Sequence, residues 1–73
     1  MNNAATVRNI AAALAQAGIS DVSLAYDRSA RHWYFTGAGT DDWSETIPCG
    51  AHRLNAIDVE TYVAEAVRMN NEA

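Results

Sequence analysis

Cys49 and His52 stand at the C-x-x-H spacing of half a zinc site. A structural zinc site takes four ligands. The remaining candidates, His32, Asp41, Asp42 and Glu45, form no second paired motif, so no metal is expected. The same pair could serve as a thiolate beside a base, the minimum for a cysteine nucleophile. No family signature or oxyanion loop accompanies it, and so small a domain has little room for an enzyme-sized cleft. No catalytic residue and no cofactor are therefore expected. The plainer view of Cys49 is a small buried thiol near a surface histidine. Gly37-Ala38-Gly39-Thr40 is glycine-rich but not a phosphate loop: it lacks the following Lys-Ser/Thr, and Asp41 and Asp42 would repel phosphate.

The segment Thr40-Asp41-Asp42-Trp43-Ser44-Glu45 is the most informative local feature. It sets three carboxylates around a tryptophan. Aromatic residues are enriched at binding hot spots, and carboxylates pair with Arg or Lys of a partner. The expected partner-binding residues are Asp41, Asp42, Trp43 and Glu45, with Tyr34 on the outer face of a sheet. The alternative is that Trp43 plugs a sheet edge while the acids are simply solvated.

The 73 residues are enough for one domain, 1–73, with one small core. Domains of this size bury only roughly 60% of their unfolded surface, so self-association is a natural supplement. A lone cysteine forms no disulfide within these residues and suits a reducing compartment. Apolar content of 49% is that of a globular chain. No apolar run approaches the roughly 20 residues of a membrane span, and Arg8 interrupts the N-terminal segment, so no signal peptide and a cytoplasmic location are expected. Net charge is −4, and all five basic residues are arginines: Arg8, Arg28, Arg31, Arg53 and Arg68. This balance disfavours general nucleic-acid binding and suits docking on a basic surface. It would equally keep an otherwise uneventful small protein soluble.

Apolar spacing at Val7, Ile10, Ala11 and Leu14 predicts a helix over 4–17, capped by Asn2 or Asn3. Gly18 followed by Ile19 predicts a Schellman ending. Alternation over 21–27 and 31–36 predicts two strands. A register pairing Tyr26 with Arg31, Leu24 with Trp33 and Val22 with Phe35, around a loop over 27–30, puts Trp33 and Phe35 in the core. The other face carries Ser23, Ala25, His32, Tyr34 and Thr36. Residues 43–47 are expected as a third, edge strand ending at Pro48, or as a segment whose Trp43 turns outward. Pro48 to Arg53 is a connector. A second helix over 55–69 starts at Asn55 or, one turn later, at Asp58, with Val59, Tyr62, Val63, Ala66 and Val67 as its apolar stripe.

The expected fold is α+β: an α-β-β-(β)-α order, with a three-stranded antiparallel sheet and two helices packed on one face. This order resembles that of double-stranded RNA-binding domains over the whole chain. In that family lysines near the start of the second helix contact phosphate. Here Asp58 and Glu60 occupy that region, with only Arg53 nearby, so the resemblance implies the topology without the activity. The expected function is a small acidic protein-binding module, an inhibitor whose carboxylates stand in for nucleic-acid phosphates in a basic groove. Asp21, Asp27, Asp58 and Glu60 would extend its acidic surface. Anti-CRISPR proteins and other small acidic proteins of phages act this way as a class, an analogy of size and charge. The alternatives are nucleic-acid binding through a local arginine patch and, behind it, a Cys49-centred enzyme or metal protein. A homodimer through the outer sheet face or an edge strand fits the same pattern.

Overall fold

The computed structural model describes residues 4–48 and 52–73. Its elements are α1 (Val7–Gln16), β1 (Ser23–Asp27), β2 (His32–Thr36) and α2 (Val59–Glu72), with single 3-10 turns at Ala38–Thr40 and Leu54–Ala56. The class is α+β, as expected, but among the described residues the sheet has two antiparallel strands rather than three.

Helix α1 starts three residues later than its spacing suggests. Thr6 is extended, and its hydroxyl accepts the Asn9 N–H at 3.1 Å, which satisfies one of the first-turn donors. The caps expected at Asn2 or Asn3 lie outside the described residues. The far end follows the expected pattern: Gly18 takes φ 87°, its N–H reaches the Ala15 carbonyl at 3.1 Å, and the Ile19 N–H reaches that of Leu14 at 2.9 Å. That bond pair is a Schellman closure, and it folds Ile19 into the core beside Leu14.

The hairpin is shifted by two residues from the expected register. Leu24 pairs with Phe35 and Tyr26 with Trp33. Asp27 sets the turn: its Oδ1 accepts from Ser29 N–H at 2.9 Å and Ala30 N–H at 3.2 Å, and its carbonyl accepts from Arg31 N–H at 2.7 Å. Arg31 closes the loop at φ 59°. The four-residue loop is therefore 28–31, one position on from 27–30. A shift of two keeps every side chain on its face, so Val22, Leu24 and Phe35 still enter the core. It moves Trp33 one pair toward the turn, however. Trp33 is only half-buried, its ring tilted against that of the exposed Tyr26 with centroids 5.5 Å apart.

The expected third strand does not form. Residues 43–47 run beside β2, and the Phe35 N–H donates to the Thr46 carbonyl at 2.7 Å, but no ladder follows. A strand would send Trp43, Glu45 and Ile47 to one side. Instead Trp43 turns inward, Glu45 turns out to Arg68, and Ile47 is exposed. Pro48, buried next in line, has no N–H to extend the pairing.

Helix α2 uses the later of its two candidate caps. Asp58 Oδ1 accepts the Thr61 N–H at 2.8 Å, while Asn55 lies in the preceding 3-10 turn. The helix runs on to Glu72, beyond the expected end at Met69. It buries Val59, Tyr62, Ala66 and Met69, with Val63 at the margin and Val67 exposed. Met69 thus takes the place expected for Val67. The Tyr62 hydroxyl donates to the Leu54 carbonyl at 2.6 Å, tying the helix to its own lead-in. Phe35 occupies the centre of the core, edge-on to Trp43 at 5.6 Å and to Tyr62 at 6.4 Å.

Hydrogen bonds from Thr61 hold the Asp58 carboxyl below its ordinary value of 3.8. A depressed folded pKa contributes stability that is present above the unfolded value and lost as pH falls through the folded one. Far-UV circular dichroism of the native chain should therefore show helix loss setting in below about pH 4. Asp58→Asn should flatten that part of the acid limb, and an unchanged limb would count against the cap.

Candidate functional site

The expected binding residues do not form one patch. The 3-10 turn Ala38–Thr40 is drawn tightly onto residues 20–22. Gly39 N–H donates to the Asp21 carbonyl at 3.0 Å, and the Thr40 hydroxyl donates back to Gly37 at 2.8 Å. Gly37 takes φ 124°, and a Cβ there would run into the Asp21 carbonyl. Asp21 itself sits at φ 60°, a region Asp tolerates better than most residues. The result places Asp21, Asp41 and Asp42 together at one end of the hairpin. All three are exposed, and none forms an ion pair among the described residues.

Trp43 leaves this surface. It is 8% exposed, packs on Phe35, and donates its indole N–H to Asn70 Oδ1 at 3.3 Å. An indole so placed offers no ring to a partner. Glu45 is also engaged, 3.2 Å from Arg68. Arg68 gathers Glu65 at 2.9 Å and Glu72 at 3.1 Å as well. These acids, Glu65 foremost, raise the guanidinium pKa above its ordinary value. Tyr34 is half-buried, paired with Ala25 in mid-sheet on the face opposite Phe35. It belongs to a different surface from the acids.

The opposite end of the hairpin is basic. Arg28 and Arg31 lie in the turn, and His52 Nδ1 lies 3.1 Å from the Arg31 carbonyl, which brings the neighbouring Arg53 to the same end. Four ladder steps, roughly 13 Å, separate the Ser23–Thr36 pair from the Asp27–His32 pair. The hairpin thus has Asp21, Asp41 and Asp42 at one end, and Arg28, Arg31 and Arg53, with Asp27 among them, at the other. Sequence spacing flagged Asp41 and Asp42; the closeness of Asp21 comes from the contact that Gly37 and Gly39 permit, and those glycines were the available signal.

Among the described residues no group of three or more His, Cys, Asp or Glu could hold a metal ion. Cys49 lies outside the described residues, and His52 is exposed. His32 Nδ1 is buried without a hydrogen-bond partner. A depression of about 190 Å³ between the two helices is lined by Asn9, Ala12, Ala13, Gln16 and Val59, without a titratable side chain. No helix among the described residues is long and apolar enough to cross a membrane. Comparison of the chain with protein-family models, with curated proteins and with solved structures found no match.

Proposed function

We propose that this chain is a binding module rather than an enzyme. It docks its acidic end on a basic surface of another protein, such as a groove that otherwise holds nucleic acid. Asp41 and Asp42, with Asp21 beside them, take the place of phosphates. The reading rests on one observation: these carboxylates are exposed and unpaired, while three of the five arginines gather at the far end of the hairpin. Trp43 is buried and Glu45 is paired with Arg68 at the surface, so electrostatics carries the recognition. Such complexes form fast and weaken steeply with salt.

The test is capture of partners on the immobilised chain, compared with Asp41→Lys/Asp42→Lys. The native chain should retain a basic protein that elutes as salt rises. The double variant should bind it at least about tenfold more weakly, since like charges across an interface repel strongly. Equal retention by both would end the proposal.

A second reading draws on the arginine end. Arg28, Arg31 and Arg53 have no acid partner among the described residues, and the Tyr26–Trp33 ring pair lies close by in the chain. Cationic groups beside aromatic rings suit single-stranded nucleic acid. A salt-sensitive gel shift, lost in Arg28→Glu/Arg31→Glu, would favour this reading over the first.

A further inference from the structure

The two edges of the hairpin are not alike. The Phe35 N–H points away from β1, to Thr46, so Leu24–Phe35 is a non-hydrogen-bonded pair of the ladder. The N–H and C=O of Leu24 therefore project off the outer edge of β1, and so, two residues on, do those of Tyr26. No described group hydrogen-bonds to them. Residues 43–47 cover the β2 edge; among the described residues none hydrogen-bonds to the outer edge of β1 in the same way. Tyr26, on the same strand, is 43% exposed.

We propose that β1 pairs with β1 of a second copy, antiparallel about a two-fold axis at Ala25, to make a continuous four-stranded sheet. Leu24 of each copy then faces Tyr26 of the other, and each such pair exchanges two N–H···O bonds. The small Ala25 side chains meet at the axis, where strands approach closest. The charges select this occupant. Asp21 and Arg28 flank the strand, exposed and without ion pairs among the described residues. In this register Arg28 lies across from Val22 of the second copy, one residue from its Asp21. The two-fold makes that contact twice. A parallel pairing would instead set like charges side by side. The pairing draws Asp21 away from the acidic end and leaves Asp41 and Asp42 unoccupied.

Sedimentation equilibrium of the native chain should show a dimer that weakens with salt. Arg28→Asp and Asp21→Lys, each checked for native circular dichroism, should each raise the dissociation constant by about tenfold or more, as like charges are brought together. An equimolar mixture of the two should regain a one-to-one dimer, because both contacts are then opposite in sign. Tyr26→Pro provides a test independent of charge. It deletes an outward N–H without touching the β2 ladder, a position where an edge strand accepts proline, and it should sediment as a monomer. A native chain that stays monomeric at every concentration and low salt would overturn the proposal. So would a dimer that survives both Arg28→Asp and Tyr26→Pro.

Discussion

Phe35→Ala should remove most of the domain's stability. Phe35 is 1% exposed and holds the rings of Trp43 and Tyr62 edge-on against its own. Truncating a buried phenylalanine typically costs about 3–5 kcal/mol, because the surroundings close only partly over the cavity. Scaling the usual stability per residue to a chain of this length gives only about 4–11 kcal/mol in total, and small domains fall at the low end. A thermal melt followed by near-ultraviolet circular dichroism should show the transition lowered by about 15–30 °C or absent at room temperature. Phe35→Leu, which leaves a smaller void, should keep a sharp transition at an intermediate temperature. A Phe35→Ala melt within a few degrees of the native one would mean that the core is centred elsewhere.

The second large effect is expected at Gly37. Its φ of 124° with ψ of 172° lies in a region that is essentially glycine's alone. A methyl group there would also strike the Asp21 carbonyl. Backbone strain of about 1–3 kcal/mol and a steric term of about 1–3 kcal/mol act together. Gly37→Ala should therefore lower the urea midpoint far more than Gly18→Ala. Gly18 is also left-handed, at φ 87°, but its Cβ would meet nothing within 4 Å, so only the backbone preference of about 1–2 kcal/mol is lost. Equal midpoints for the two variants would show that the turn onto residues 20–22 is looser than its geometry indicates. Gly37→Ala should also loosen the grouping of Asp21 with Asp41 and Asp42, and with it any binding that depends on all three.

Local signals in the chain were the legible ones. Gly18 and Ile19 announce the end of α1, because a left-handed glycine and an apolar residue after it suffice for the closure. The faces of the hairpin are equally plain, since alternation survives any shift by an even number of residues. The register was not legible. It depends on Asp27 folding its carboxylate over the loop amides and on Arg31 accepting positive φ, which strand patterning does not weigh. Residues 43–47 failed as a strand for a long-range reason. Trp43 is drawn inward to Phe35 and Asn70, and Glu45 outward to Arg68, which lies 23 positions away. The candidate site divides in the same way. The exposure of Asp41 and Asp42 followed from composition, whereas the capture of Glu45 and the approach of Asp21 depend on contacts between distant segments.

The core joins Ile10 and Leu14 of α1 to Ala66 and Met69 of α2, with the hairpin between them. On the ribosome the first of these appears early and the last only near the end of this stretch. A nascent chain can curl α1 and close the hairpin, both local events, but it cannot dry the face of Phe35 until α2 has left the exit tunnel. Until α2 docks, then, the β1 edge and an uncovered apolar face of the hairpin are exposed together.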